Sequence, residues 1–492
     1  MAFAAVLAAV YAALSIVKVL HHEIWRDEAG AWLIGAWSAS LRDVSDVARY
    51  GGHPYLWIYC LYVLNHFTDN PLAMQLLHVL IATTGVVIVA AFAPFARREK
   101  VLIVFGYYIF YEYDTISRNY AFGVVFAFAA CAAFAARPRA YLWLAVWLAL
   151  LAQSSVYGAI VAIAFALGGG LEASYERRGV APGAISPAIA CAAVGIVLSG
   201  LAATVVQMVP PPDSGFAVGW LPHPTLGAAA DTIARVWTAF VPLPGATRHF
   251  WQSTVLQAAP TLEAGLGACL LVASTLLWVR WPSALLTYGA GAIGLLTFMY
   301  VKYAGGLRHD GHLFVLFLIA WWMSRVCHHR PLPIARRWTA VAERSRAAFV
   351  TTLLWVQVGA GVLVSGMDLV LPFSASAAAA QYIRDAGLID LPIVCGRETP
   401  CVPLAAHLRR PLYYPSSNRW GTFTIFDDSR HDLAPAELLG AARALRARVD
   451  RDVVLVLTSP LTGVAPGVRS LPSFEDSSLE SEVYYLYRIA AD

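Results

Sequence analysis

The stretch HHEIWRDEAGAW, residues 21–32, crowds Glu23, Arg26, Asp27 and Glu28 directly behind an apolar run at 3–20. A run of that length is a candidate membrane span. Ionisable groups beside a bilayer are costly to place and are kept chiefly for function. A second polar knot, GGHP at 51–54, precedes the next long apolar run, which begins at 71. Between them, 54–67 (PYLWIYCLYVLNHF) is apolar, too short for an easy crossing, and opened by Pro54. It reads as a juxtamembrane helix, so that residues 21–70 form one long loop on a single face.

Outward from that stretch, the 492-residue chain is 59% hydrophobic and only 13% charged, against ~25% charged in soluble domains. This composition belongs to a polytopic membrane protein. Its 16 Trp and 22 Tyr suit anchoring at bilayer interfaces. A net charge of +4 is too small for a nucleic-acid partner, and the basic residues gather beside apolar runs instead. The first run lacks the basic flank and cleavage site of a signal peptide, and is expected to be an uncleaved span.

Candidate spans are 3–20, 71–96, 101–117, 118–136, 140–153, 155–170, 183–209, 256–280, 283–303, 311–327 and 347–370. With 54–67 left uncrossed, ARREK (96–100), RPR (137–139), YERR (175–178), Arg280 and the stretch 328–346 share one side. The positive-inside rule makes that side the cytoplasm. Eleven spans then leave the N-terminus inside. The exterior receives 21–70, the YEYDTISR turn, loop 210–255, the GGLRHDGH turn and the C-terminus. If 54–67 crossed, ARREK would move outside and the alternation would fail.

From 371 onward charges rise and the long apolar runs end. Segments 375–387 and 435–449 have helical composition. LPIVC (391–395), DVVLVLT (452–458) and EVYYLYRI (482–489) have strand composition. The expected division is a membrane domain, 1–370, and a small exterior α/β domain, 371–492. It carries no glycine-rich phosphate loop. Five of the seven cysteines lie in or beside apolar segments and read as buried packing. Cys395 and Cys401 lie in the polar region; if it is exported they are able to pair, and the spacing leaves free thiols equally open.

Four polar clusters carry candidate chemistry, each with a plain structural alternative. Asp27 and Glu28 can divide labour, one accepting a proton from a hydroxyl and the other positioning it; a water-exposed interfacial pair is the alternative. In Gly51-Gly52-His53-Pro54-Tyr55, a helix start offers N–H groups to an anion and His53 adds a donor, unless the histidine is incidental to a turn. In YEYDTISRNY (111–120), the Arg118 fork suits a phosphate, unless it pairs with Glu112 or Asp114. Around GGLRHDGH, Arg308 and Lys302 can hold a developing negative charge, with His309, Asp310 and His312 close by. HDGH is a weak metal signature, so a divalent metal ion is only a candidate cofactor and no metal ligands are assigned. Interfacial polarity is the alternative here too. On the deduced topology all four clusters fall on one face.

RDEA, GHPYLW and ISRNYA together resemble the GT-C-fold membrane glycosyltransferases, and within them the superfamily of protein O-mannosyltransferases and lipid A aminoarabinose transferases. The resemblance covers about residues 1–170. HPY here replaces the family's HPP, and SRNYA is shorter than the family version. It implies a GT-C-like fold of about eleven spans, with juxtamembrane helices in the first exterior loop. It further implies a polyprenyl-phosphate sugar as donor, an envelope acceptor (lipid, glycan or protein), and transfer with inversion outside the cytoplasmic membrane. Carried over, Asp27 matches the catalytic carboxylate and Glu28 its acidic neighbour. His53 and Pro54 match the motif opening the juxtamembrane helix, and Arg118 and Tyr120 the motif near the donor phosphate. With these, Arg308, Lys302 and His53 are candidate phosphate ligands, and Tyr120, Tyr55 and His309 candidate positioning groups. A ligase or polymerase of lipid-linked glycans would use similar charges. A lipid or solute transporter would instead carry charges at the midplane, broken helices and internal repeats; no repeat is evident. A non-catalytic envelope scaffold is the third rival.

Overall fold

The structure, a computed structural model, describes residues 1–178, 185–215, 225–328, 336–461, 463 and 466–490, with backbone alone for 336–344. Parts of three expected features, the span 183–209, loop 210–255 and the basic stretch 328–346, lie outside the described residues. Among the described residues, six helices are long and apolar enough to cross a membrane: Ala2–Val19, Leu72–Phe92, Val156–Arg177, Pro187–Met208, Pro282–Val301 and Ser345–Val370. The protein is therefore a multi-pass membrane protein. Tyr120–Ala135, Tyr141–Ala152 and Pro260–Leu276 are shorter apolar helices. Leu307–Val326 carries Arg308, Asp310 and Arg325, and its middle is wholly buried.

Starts of these helices are written locally. Ser155 and Thr225 accept from Gly158 N–H (3.0 Å) and Ala228 N–H (3.1 Å), satisfying donors that the first turn leaves open. Pro260 and Pro282 occupy first turns, where proline lacks only an N–H that would be idle.

The expected continuous span at 101–117 is corrected. It is a helix, Arg97–Val104, then a π-helical turn, Tyr108–Glu112, then irregular backbone to 119. Eight residues of helix rise ~12 Å, far below the ~30 Å of a bilayer core. The chain nevertheless travels back along Leu72–Phe92, because His78 near that helix's start bonds the carbonyls of Asp114 (2.8 Å) and Arg118 (2.9 Å). It is a broken crossing, tolerated because residues 107–121 are all buried in protein. Gly106 at the break and the polar Glu112 and Asp114 are the local reason. A second difference is the helix Leu226–Phe240, which lies in what reads from sequence as loop.

The chain forms two compact units: Met1–Val17, Gln75–Met208 and Gly219–Gly366; and Lys18–Met74, Val209–Val218 and Met367–Asp492. The first exterior loop thus belongs with the C-terminal segment, a division different from the sequence boundary at 370/371.

In the first unit, loops grouped by charge meet at one end. Arg137 Nε donates to Glu176 (2.7 Å), Ser283 Oγ to Glu172 (2.6 Å), and His328 N–H also to Glu172 (3.0 Å). Arg325 lies 3.9 Å from Glu99 at the same helix ends.

The second unit holds a six-stranded mixed sheet in the order β3-β2-β1-β4-β6-β5. Its strands are β1 (Ile393–Cys395), β2 (Leu412–Tyr414), β3 (Arg419–Gly421), β4 (Val453–Leu457), β5 (Val468–Phe474) and β6 (Tyr484–Ile489). β1 is parallel to β2 and β4, and the other pairs are antiparallel. Val394, Leu455 and Ile489 pack with Leu438, Ala442 and Leu445 of the helix Pro435–Val449. Cys395 and Cys401 are joined in a disulfide. The same unit contains the helices Arg26–Trp37, Leu41–Ala48 and Leu56–Asn65 of the first loop.

Candidate active site

In the second unit, the site builds up from the start of the helix Arg26–Trp37. Glu28 reaches back to accept from Trp25 N–H (3.2 Å), and Glu482 accepts from Arg26 N–H (2.9 Å). Two carboxylates therefore sit on the open N–H groups and positive dipole end of this helix. Glu28 is fully buried and also takes His22 Nε2–H at 3.2 Å, while His22 Nδ1–H points to Asp368 (3.0 Å). Burial alone pushes the His22 pKa down, but the Asp368 and Glu28 carboxylates outweigh it and hold it up at about 10. His22 is thus a cation with both N–H groups donating. Burial raises Glu23 to about 7 against the Ser374 N–H it accepts (3.1 Å), and raises Glu482 to about 7.

Asp27 lies at the edge of this network, where its charge helps raise Glu482. Its side chain is 26% exposed and lies 4.0 Å from Arg26 Nε. The adjacent carboxylates thus differ in burial: Glu28 is enclosed at the helix start, and the Asp27 side chain is partly open to solvent. Trp25 and Trp32 beside them are buried.

The GGHP turn is real, with Gly52 at φ +65°, a conformation that favours glycine. The helix begins at Leu56, however, with Tyr55 as its flanking residue, so Pro54 and His53 lie before the first turn rather than in it. His53 is half-buried, and Tyr55 is buried with its ring edge-on to Tyr59.

In the first unit, Arg118 lies just before the helix Tyr120–Ala135, largely buried, with its backbone pinned by His78. Asn119 next to it donates to the Ser154 carbonyl. Glu112 accepts from Tyr107 OH (2.8 Å) and Trp251 Nε1–H (3.1 Å).

The GGLRHDGH turn joins the same cluster. The Arg308 guanidinium lies 5.9 Å from the centre of the Trp251 ring, and its carbonyl accepts from Tyr113 OH (2.7 Å). His309 Nδ1 accepts Gly306 N–H (2.8 Å), which puts its proton on Nε2, donating to Tyr120 OH (2.9 Å). The Tyr157 ring stacks on His309 and His312. Asp310 accepts from Thr238 OH (2.7 Å) and faces Arg235 at 3.4 Å. Lys302 closes the helix Pro282–Val301 and is half-buried. Gly311 allows Tyr108 and Tyr113 to press against the helix, leaving no room there for a Cβ. No group of three His, Cys, Asp or Glu side chains able to hold a metal occurs among the described residues.

The structure therefore holds Arg118, Tyr120, Lys302, Arg308 and His309 in one unit, and Asp27, Glu28, His53 and Tyr55 in the other. Sequence reading passed over His22, His78, Arg235, Trp251 and Asp368. His78 had a usable signal, a lone imidazole inside an apolar run. Arg235 sat in a segment read as loop.

In fold, the chain is similar to the crystal structure of ArnT from Cupriavidus metallidurans bound to undecaprenyl phosphate. The TM-score is 0.50 at 13% identity, over 99% of this chain and 98% of that one. The fold is ArnT-like. It is a GT-C membrane fold with a small C-terminal sheet region. No family model and no curated protein matches the sequence.

Proposed function

We propose that the chain is a membrane glycosyltransferase. It moves a sugar from a polyprenyl-phosphate donor to an acceptor hydroxyl on the exterior face of the cytoplasmic membrane, with inversion. The observation that carries this reading is the ArnT-like fold along the whole chain, coupled with an accessible Asp27 at the helix start where the sequence resemblance locates the catalytic carboxylate. The undecaprenyl phosphate held by ArnT is the model for the carrier lipid here.

In the proposed reaction, Asp27 takes the proton of the acceptor hydroxyl as its oxygen attacks the anomeric carbon. The bond from that carbon to the donor phosphate breaks, and polyprenyl phosphate departs with the electron pair. Arg118, Arg308 and Lys302 hold the phosphate charge as it develops, with His53 as a further donor. Tyr120, held by His309, and Tyr55 position the substrates. Glu28 acts through the backbone: it caps the helix that presents Asp27. Burying Glu28 on His22 leaves Asp27 as the one acid of the pair available to a hydroxyl.

The test supplies purified protein in detergent with a panel of radiolabelled polyprenyl-phosphate sugars, with candidate envelope acceptors present, and follows release of prenyl phosphate. Release from one donor supports the reading and begins to name the sugar. Failure to bind any of these lipids, together with no release, would leave the transporter and scaffold readings in its place.

A further inference from the structure

Among the described residues, side-chain hydrogen bonds join the helix Pro187–Met208 to its neighbour toward its Met208 end. Gln153 Nε2–H donates to the Gly200 carbonyl (2.9 Å), and Thr204 OH donates to the Ala152 carbonyl (2.9 Å). Towards Pro187 it leaves a groove of about 440 Å³ against Tyr141–Ala152 and Val156–Arg177, within the ~300–1,000 Å³ of ligand sites. Leu144, Leu148, Leu167, Val194, Leu198 and Leu201 make its walls.

One charged side chain, Arg177, is among the residues lining it. The adjacent Glu176 does not neutralise Arg177, because both its oxygens are taken, by Arg137 (2.7 Å) and Tyr141 OH (2.5 Å). Arg177 is exposed and makes no ion pair among the described residues. From Ile163 to Arg177 the wall rises ~21 Å, enough for one leaflet's share of a ~30 Å hydrocarbon core plus its polar edge. Gly170 faces the groove with nothing within 4 Å of where a Cβ would stand.

We propose that this groove binds one anionic glycerophospholipid of the surrounding bilayer, its acyl chain along the apolar walls and its phosphate on Arg177. Arg177 lies at the end of the unit where Arg137, Glu172, Ser283 and His328 meet, the end that loop charges assign to the cytoplasm. Cytoplasmic leaflets carry anionic lipid that draws basic side chains. Arg118 and Arg308 lie at the other ends of their helices, so the donor phosphate is a separate ligand.

Native mass spectrometry in detergent tests this, titrating phosphatidylglycerol and, as the neutral control, phosphatidylcholine of the same chains. The expected result is a single phosphatidylglycerol per chain, bound roughly fivefold more tightly than phosphatidylcholine. Arg177→Gln should remove that preference, and Gly170→Leu should remove the bound lipid, since leucine is a better helix former and fills the groove. Ala193→Leu fills it from the opposite wall should Gly170→Leu fail to fold. Equal binding of the two lipids by wild type, or retention of the lipid by a folded groove-filling variant, would overturn the proposal. So would one-for-one displacement by undecaprenyl phosphate, which would make the groove a tail site for a carrier lipid.

Discussion

His22 bridges two buried carboxylates, and removing it should unfasten the helix that carries Asp27. In His22→Ala, Glu28 and Asp368 lose a shared cation that sits 3.2 and 3.0 Å away with no exposed side-chain surface. Breaking a buried ion pair from one side costs ~3–5 kcal/mol. The pH route reaches the same size: between 6.5 and the folded value of about 10, at 1.36 kcal/mol per pH unit, the upper bound is ~5 kcal/mol. His22 binds its proton more tightly folded than unfolded. Its stabilisation is therefore complete below pH 6.5 and is lost as pH rises toward 10. Glu23 and Glu482, raised by burial to about 7, act in the same direction between 4.5 and 7, because ionising them costs free energy. For a domain of this size 1 kcal/mol moves Tm by ~2–4 °C, so His22→Ala should lower the unfolding temperature on the order of 10 °C at pH 6. Tryptophan fluorescence during thermal unfolding in detergent, at one scan rate, reads it through the nearby Trp25 and Trp32. Wild type should melt lower at pH 9 than at pH 6, and His22→Ala should show a smaller difference. A variant within about 2 °C of wild type at pH 6, or a wild type indifferent to pH, would refute the reasoning.

Arg118→Ala should weaken donor binding by roughly 10- to 150-fold, the span of one lost hydrogen bond to a charged group, measured as undecaprenyl phosphate affinity; unchanged affinity would return Arg118 to a structural role. Glu28→Gln should lower Tm while keeping measurable transfer, because its carboxylate caps the start of the helix; loss of transfer with unaltered Tm would give Glu28 a direct chemical part. Denatured without reductant, the chain should show five reactive thiols, Cys60, Cys131, Cys191, Cys269 and Cys327, with Cys395 and Cys401 appearing only after reduction. Seven thiols before reduction would contradict an oxidising location for that segment.

Much of this was legible from hydrophobic length and loop charge. Period and composition located Pro435–Val449 and strands β1, β4 and β6, because each is long or uniformly apolar enough to leave one reading. β2 and β3, three residues each, are strands only through pairing with neighbours, which no local pattern announces. Glu398–Leu408 hid behind Pro400 and Pro403, which argue against a helix. The run 101–117 passed as a span on hydropathy alone, since its irregular backbone is paid for by burial and by His78 from a different helix. At the site, the Asp27-Glu28 dipeptide was visible but its division was not. Which carboxylate turns inward depends on His22 and Glu482, the latter distant in sequence.

The central claim rests on Asp27, and the most direct test compares wild type with Asp27→Asn on the donor that the panel identifies. Release of prenyl phosphate and binding of undecaprenyl phosphate are measured on the same preparations. The account predicts release reduced by ~10²–10⁴-fold, the usual worth of a general base, with binding and Tm unchanged. An Asp27→Asn protein that folds and still transfers at the wild-type rate would contradict it.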